Sequence, residues 1–329
     1  MKEHYKILLA GPCYEDSFAD NVKAALLSMG HEVVSEEPQS QSSYWSFPRY
    51  ALRVLEERIL GDRPNRADQS LLALARKTRP DLLLSLTWDI HPDILNDLYT
   101  QMPGRRILWW GDAVANSRRW GILNPGWDKV YLKDPEAVQK LRLAGKSTEL
   151  LHEAMNPAWH RPLATQAHGD IIIAGNFYAF RQLLVARLIK DGHGFRLHGG
   201  KPPTWALPEI KRIHSQKYIT REQKSRAFGE ALLCLNTFHP AEGNSLNCRA
   251  FEIAGAGGLQ VIEYRPTLLQ CFEPGKELLA FHSYEELLEH IGRAKKYPSE
   301  MKAIREAGAK RALCEHTYSH RLQRIFECL

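Results

Sequence analysis

A glycine and two small polar residues, Gly243, Asn244 and Ser245, directly precede a helix-like run that we predict to begin near Leu246. Asn and Ser are favoured helix N-caps, so Asn244 or Ser245 is predicted to cap this helix. The free N–H groups of a first helical turn and the positive end of the helix dipole favour a phosphate. Gly243 would let the backbone approach that group, and Arg249, about one turn further on, would add positive charge.

Glu252 follows Arg249 by three positions and therefore lies on a neighbouring face of the predicted helix. A carboxylate can accept hydrogen bonds from the two hydroxyls of a ribose, as an acidic residue does in dinucleotide-binding folds. These residues thus indicate a site for a nucleoside diphosphate. The structural alternative is an ion pair on the helix surface, with Asn244 acting only as a cap. Gly257 and Gly258 are predicted to end the helix and turn the chain into the next strand.

Short apolar runs alternate with helix-length amphipathic runs along the chain. The predicted strands are 5–11, 31–37, 81–87, 105–112, 128–134, 170–175, 195–200, 232–236 and 259–263, and the stretch 147–154 ends the first block. The predicted helices are 18–30, stretches within 50–60 and 67–78, 92–100, 135–145, 180–192, 221–231, the run after Leu246, and most of the chain from 283 onward. This alternation predicts an α/β protein with parallel sheets and helices on both faces. Ligands in such folds bind beyond the carboxyl ends of the strands.

A polar, proline-containing stretch over 155–170 interrupts the alternation and is predicted to connect two Rossmann-like domains. We expect an N-terminal domain over 1–160 that binds an acceptor and a C-terminal domain over 161–312 that binds a nucleotide. We expect residues 313–329 to form a helix that packs back toward the N-terminal domain. Two parallel sheets facing across a cleft would place the ligand between them.

The 329 residues are 44% hydrophobic and 25% charged, which is typical of a globular protein. The net charge of +6 is scattered, so it indicates either a solvated surface or a mild preference for an anionic ligand or membrane surface. The sequence contains no run of basic residues that would indicate a nucleic-acid partner. The six cysteines form no CxxC pair and no zinc-like cluster, so we expect no metal and free thiols in the cytoplasm. No signal peptide or transmembrane helix is expected.

The second half of the chain resembles the spore-maturation-type (CgeB-like) glycosyltransferases, which belong to the GT-B class and the wider group 1 glycosyltransferases. Their motifs are an Asn-x-Arg-x-Phe-Glu helix, a Gly-Gly turn, a Phe-x-x-Gly loop and a final His-Thr-Tyr-x-x-Arg helix. The matching positions are Asn247, Arg249, Phe251, Glu252, Gly257, Gly258, Phe272, Gly275, Glu277, His316, Thr317, Tyr318 and Arg321. The resemblance is specific from Leu232 onward and weak before Asp81.

The resemblance implies that Glu252 binds the donor ribose. It implies that Gly175 and Arg181 face the donor diphosphate and that Gly199 lies where these folds hold the nucleotide base. Many retaining members carry a further glutamate eight positions before the ribose-binding one. That position is Asn244 here, and the nearest acid, Glu242, lies ten positions before Glu252. The donor sugar and the stereochemistry therefore stay open.

An inverting enzyme needs a general base near the acceptor hydroxyl, whereas a retaining enzyme does not. Asp112 is the first candidate because "WWGD" ends a predicted strand, and His91, Asp89 and Glu15 follow strands in the same way. Asp112 could instead be a helix or loop cap. The aromatic stretch 44–50 could line an acceptor groove or pack locally.

The resemblance implies a glycosyltransferase, a hexosyl- or pentosyltransferase, that acts without a metal. It would move a sugar from a UDP- or dTDP-sugar to a glycan, lipid or protein acceptor, with retention favoured. The nucleotide-sugar is then a co-substrate, and no other cofactor is expected. The alternatives are a nucleotide-sugar epimerase or hydrolase on the same fold and a catalytically silent nucleotide-binding partner subunit.

Overall fold

A computed structural model describes residues 4–35, 63–86, 90–117, 121–163 and 168–329, together with Leu52, Leu55, Arg58, Ile59 and Gly61. The chain divides into two compact units. The first comprises Met1–His152 and Arg321–Leu329, and the second comprises Glu153–His320.

The first unit contains a parallel sheet that has six strands among the described residues, in the order β2-β1-β3-β4-β5-β6. These strands are β1 (Lys6–Ala10), β2 (Glu32–Ser35), β3 (Leu82–Leu86), β4 (Arg105–Trp110), β5 (Lys129–Leu132) and β6 (Thr148–Leu150). All five residues of β3 are buried, as expected for a parallel strand covered on both faces. The described helices are α1 (Phe18–Ser28), α2 (Arg66–Thr78), α3 (Pro92–Gln101) and α4 (Pro135–Leu143).

The helices of this unit begin at residues whose side chains cap the first turn. Asn65 and Asp68 form a reciprocal capping box at the start of α2. Asp134 accepts hydrogen bonds from the backbone N–H groups of Glu136 and Ala137 at the start of α4. These local signals explain why the predicted helix positions agree closely with the structure.

The second unit contains a parallel sheet in the order β11-β10-β9-β7-β8. Its strands are β7 (Ile171–Ala174), β8 (Phe195–His198), β9 (Leu233–Asn236), β10 (Gln260–Glu263) and β11 (Leu279–Phe281). The chain passes from β7 to β8 on one side and then crosses to β9 on the other side of β7. The strand order therefore reverses between β7 and β9, and such a switch point is where open α/β sheets bind ligands.

Seven helices cover this sheet or follow it: α5 (Ala179–Lys190), α6 (Pro208–Ile213), α7 (Arg221–Glu230), α8 (Cys248–Gly255), α9 (Tyr284–Lys296), α10 (Pro298–Glu315) and α11 (Tyr318–Phe326). The end of α11 belongs to the first unit, where the ring of Phe326 stacks on Tyr5 with centroids 5.4 Å apart.

The two parallel sheets confirm the predicted fold class. The short strand β11 and the short helix α6 were not predicted, because segments of three and six residues carry too little periodicity. The helix expected within 50–60 falls mostly outside the described residues. No helix in the described part of the chain is long and apolar enough to cross a membrane.

Candidate functional site

A cavity of about 170 Å³, lined by both polar and apolar residues, lies at the switch point of the second unit. Residues 172–176, at the end of β7, form one wall, and residues 235–236, at the end of β9, form another. Tyr178 and Arg181 reach it from the start of α5, and residues 247–249 reach it from the start of α8. The cavity therefore lies at the carboxyl ends of parallel strands and beside a helix start, where an anion is favoured.

Helix α8 begins at Cys248 and is capped by Asn247, whose Oδ1 accepts a hydrogen bond from the backbone N–H of Ala250 at 3.2 Å. The predicted caps, Asn244 and Ser245, were therefore wrong. Ser245 is buried and donates to the backbone oxygen of Glu242 at 2.6 Å, so it stabilises the preceding turn instead. Leu246 is fully buried, and this packing keeps the chain extended up to the true cap.

The cap residue Asn247 is itself held by a buried amide network. Its Nδ2 donates to Asn236 Oδ1 at 2.9 Å, and Asn236 Nδ2 donates back to Asn247 Oδ1 at 3.0 Å. Asn236 Nδ2 also donates to Gln260 Oε1 at 3.2 Å, and Gln260 Nε2 donates to the backbone oxygen of Ala250. Strands β9 and β10 therefore fix the first turn of α8 against the sheet.

Glu252 lies one turn into α8 and is only 2% exposed. Its Oε2 accepts a hydrogen bond from Arg249 Nη1 and lies 2.9 Å from the Nζ of Lys224, a buried lysine on α7. The imidazole Nε2 of His160 lies 3.9 Å from Glu252 Oε1. The predicted Arg249–Glu252 pair is therefore present, but Glu252 is in the interior rather than on the helix surface.

Arg249 joins this cluster to the cavity. Its Nε donates to the backbone oxygen of Ala174 at the end of β7, at 3.0 Å, while its Nη1 reaches Glu252. The neighbouring thiol of Cys248 also lines the cavity. Burial, and the negative charges of Glu252 and Glu153, raise the pKa of Cys248 well above its usual range, so the thiol stays protonated.

Arg181 lines the same cavity, but its guanidinium donates most of its hydrogen bonds to other groups of the protein. Its Nε donates to Thr237 Oγ1 at 2.9 Å, and its Nη2 donates to Thr237 O and to Tyr178 Oη, each at 2.7 Å. Its Nη1 donates to Asn176 O at 2.6 Å. Burial lowers the pKa of this guanidinium. Burial also raises the pKa of the Tyr178 phenol, which therefore keeps its proton at neutral pH.

The glycines predicted to contact a ligand lie at positions where the backbone conformation, or the space available, disfavours a side chain. Gly175 follows β7 with φ +144°, and a Cβ on Gly199, after β8, would lie 2.4 Å from the backbone oxygen of Gly175. Gly243 has φ +54° in the loop before α8, a backbone conformation that favours glycine. The loop after β8 can therefore approach the backbone of Gly175 only because residue 199 has no Cβ.

Of the acid–base candidates in the first unit, Asp112 and His91 each accept a hydrogen bond from a backbone N–H group, and His91, unlike Asp112, caps a helix. Asp112 Oδ1 accepts a hydrogen bond from the backbone N–H of Ala113 at 2.7 Å. His91 is buried and caps α3 by accepting from the N–H of Asp93 at 3.2 Å. A catalytic role for either residue stays a prediction. Asp89 and the aromatic stretch 44–50 lie outside the described residues.

Sequence reasoning missed Lys224, His160 and Thr237. Lys224 stands four residues before the buried Phe228 and so shares its helix face. A lysine on an otherwise buried face was the available signal. His160 and Thr237 lie in irregular segments, where no periodicity marks a residue as interior.

Residues 179–327 match the family model described as glycosyl transferase-like. Comparison with curated proteins gives no match. Sucrose-phosphate synthase from Thermosynechococcus elongatus superposes with a TM-score of 0.69 at 14% identity, over 98% of each chain. HepE of Anabaena, solved with UDP-glucose, superposes with a TM-score of 0.66 at 11% identity, over 99% of each chain. AviGT4, a glycosyltransferase of avilamycin A biosynthesis, gives 0.63 at 12% identity, over 98% of this chain and 96% of that one.

These likenesses cover both units, so the protein has the GT-B fold that the resemblance implied. The matched family domain begins at α5 and includes α8 and the walls of the cavity that follow β9. The predicted enzyme class, a glycosyltransferase, agrees with this family domain and with the structural neighbours. No finding tests the CgeB-like subtype.

Proposed function

We propose that this protein transfers a sugar from a nucleoside-diphosphate donor, UDP- or dTDP-linked, to an acceptor hydroxyl of a glycan, lipid or protein. The observation that carries the proposal is the cavity at the switch point of the second sheet, where Arg249 and the start of α8 meet the end of β7. The match of 179–327 to glycosyl transferase-like proteins supports it. So does the fold shared with HepE, which was solved with UDP-glucose.

In this proposal the second unit binds the donor. The first-turn N–H groups of α8 and the guanidinium of Arg249 contact the diphosphate, and Gly243, Asn244 and Ser245 form the loop beside it. Asn247 fixes that helix start. Glu252, which Arg249 holds behind the cavity wall, is the proposed acceptor of hydrogen bonds from the pentose hydroxyls of the donor, of which UDP has two and dTDP has one.

The loops after β7 and β8 complete the proposed donor site. Gly175 and Gly199 bring the two loops close enough together for backbone groups to contact the nucleotide. Arg181 holds the loop after β7 against Thr237 and contributes its charge to the diphosphate side. Two guanidinium groups beside a helix start can neutralise the developing charge of a leaving diphosphate, so the proposed chemistry needs no divalent metal.

The first unit is proposed to bind the acceptor, with Asp112 and then His91 as the first groups to test. We favour retention of configuration, for which neither residue needs to act as a base. The dispersed cysteines, all of them free thiols, lead us to place the protein in the cytoplasm.

The first experiment is thermal unfolding with UDP-, dTDP-, GDP-, ADP- and CMP-sugars. A ligand at about one hundred times its dissociation constant should stabilise the folded protein by about 2.7 kcal/mol. A shift with UDP or dTDP donors is expected, and Arg249→Gln should reduce it while Arg212→Gln, an exposed change on α6, should not. No shift with any donor would contradict the proposal.

Product analysis separates transfer from its alternatives. Incubation of the selected donor with candidate acceptors should give a glycosylated acceptor and free nucleoside diphosphate. Release of free sugar alone would indicate a hydrolase, and an isomerised sugar would indicate an epimerase. Binding without turnover would indicate a silent partner subunit, which the missing acid at Asn244 makes worth testing.

A further inference from the structure

The ion pair between Lys224 and Glu252 is buried to an unusual degree. The Lys224 Nζ lies 2.9 Å from Glu252 Oε2, and the two side chains are 2% and 3% exposed. Lysine is almost never fully buried, because removing its charge from water costs several kcal/mol. Replacement of a whole buried ion pair by well-packed apolar residues is often neutral or stabilising, so this pair is expected to serve more than packing.

Two separate helices hold the same carboxylate oxygen. Lys224 reaches Glu252 Oε2 from α7, and Arg249 reaches it from the preceding turn of α8. Cations on two different elements fix the last torsion angle of the glutamate, which an exposed carboxylate would leave broadly distributed. The direction of the second oxygen, Oε1, is thereby determined as well.

The neighbouring histidine is oriented toward the same carboxylate. The Nδ1 of His160 accepts a hydrogen bond from the backbone N–H of Asn156 at 3.1 Å. A neutral imidazole that accepts at Nδ1 carries its proton on Nε2. Nε2 is the atom that lies 3.9 Å from Glu252 Oε1, so the ring presents a proton rather than a lone pair to the carboxylate.

We propose that Lys224 is a positioning residue for the donor ribose: it holds the Glu252 carboxylate in one orientation, so that this group accepts hydrogen bonds from the ribose hydroxyls. This inference rests on the proposed function, in which Glu252 binds the donor. Lys224 itself does not touch the donor. Its loss should therefore weaken recognition of the ribose specifically, rather than binding of the nucleotide in general.

The test compares the dissociation constants of UDP and 2′-deoxy-UDP, measured by calorimetry on the full chain. The wild-type protein should prefer UDP by about tenfold or more, because a hydrogen bond to a charged carboxylate is lost with the deoxy sugar. Lys224→Met, which keeps the length of the side chain without its charge, should bring this ratio close to one. Glu252→Gln should do the same, and the double variant should lose no more than either single one.

Three controls separate positioning from folding. Lys224→Arg restores a cation and should recover most of the UDP preference. Arg226→Met removes an exposed charge from the same helix and should leave the ratio unchanged. Lys224→Gln serves as the second neutral variant if Lys224→Met fails to fold, which circular dichroism will show.

The outcomes distinguish this inference from the proposed function. If the wild-type protein prefers UDP and Lys224→Met or Lys224→Gln keeps the full preference, the positioning role is overturned while donor binding stands. An equal loss of affinity for UDP and 2′-deoxy-UDP would also overturn it, because that result describes general damage to the site. A wild-type protein that binds UDP and 2′-deoxy-UDP equally overturns this inference while donor binding stands. A wild-type protein that binds neither nucleotide overturns the UDP donor site and this inference together.

Discussion

The guanidinium of Arg181 donates to both the hydroxyl and the backbone carbonyl of Thr237, and it also donates to the carbonyl of Asn176. One side chain therefore ties the loop after β7 to the loop after β9, across the point where the strand order reverses. The two walls of the cavity are held together by a charged group that is only 6% exposed.

Arg181→Lys should destabilise the protein by about 2–3 kcal/mol, because an ammonium group cannot reproduce the four hydrogen bonds of this planar fork. Unfolding in urea measures the change, and Arg212→Lys at an exposed position is the control. A double-mutant cycle with Thr237→Val should give a coupling energy of about 1 kcal/mol or more. If Arg181→Lys and Arg212→Lys change the free energy of unfolding equally, the Arg181 guanidinium does not join the two loops.

Gly199→Ala should destabilise the second unit by about 2–4 kcal/mol, because its Cβ would lie against the backbone of Gly175 and one of the loops must move. Gly292→Ala, within α9, meets no atom within 4 Å and should instead stabilise by about 0.5–1 kcal/mol. Thermal unfolding of both variants tests the pair. If Gly199→Ala leaves the unfolding temperature unchanged, the two loops do not approach each other as closely as described.

Asn247→Ala should cost about 2–3 kcal/mol, because α8 loses its cap and the buried amide of Asn236 loses its partner. Asn247→Asp keeps the capping oxygen and should cost less stability. The added carboxylate faces the proposed diphosphate site, so we expect this variant to bind UDP at least about tenfold more weakly. Chemical denaturation and calorimetry measure the two effects separately, and unchanged UDP affinity would argue against a phosphate at this helix start.

Asp112→Asn should leave kcat within about threefold of wild type, since a retaining transfer does not depend on a base from this residue. Asparagine can still accept the hydrogen bond from Ala113, so stability should be preserved. His91→Asn is the companion variant, because asparagine is also a good cap. A fall in kcat of about a hundredfold or more, with an inverted product by NMR, would establish an inverting mechanism.

Mass spectrometry after brief alkylation at pH 8 should find Cys314 and Cys328 labelled first, because both are exposed. Cys248 should react slowly despite lining the cavity, since burial and two nearby carboxylates raise the pKa of its thiol. Lys224→Met is a useful comparison, as it removes a cation from the same cluster. Labelling of Cys248 as fast as Cys314 would contradict the charge arrangement around Glu252.

Much of the architecture could be predicted from the sequence. Parallel strands that are buried on both faces appear in a sequence as continuous apolar runs, and the helices between them begin with capping residues and end at glycines. The residues Arg249 and Glu252 were found because their spacing within one helix is a local property. The start of α8 was misplaced because two good capping residues, Asn244 and Ser245, precede the true cap. Only the long-range pairing of Asn247 with Asn236 decides among them.

The partners of the candidate site could not be predicted in the same way. Lys224 meets Glu252 from a helix 28 positions earlier in the chain, and Arg181 reaches Thr237 across 56 positions. Such pairs depend on the order of the strands in the sheet, which a single sequence does not determine. The functions of Asp112 and His91 are open for the opposite reason, since a good cap and a good acid–base group use the same atoms.

The amide pair between Asn236 and Asn247 has a thermodynamic consequence for ligand binding. Because the sheet immobilises the first turn of α8 when the chain folds, a donor meets N–H groups that already point in their final directions. Its association then requires little loss of conformational entropy from the protein. Donor binding at this helix should therefore show a small entropic penalty, unlike binding to a loop that becomes ordered only around its ligand.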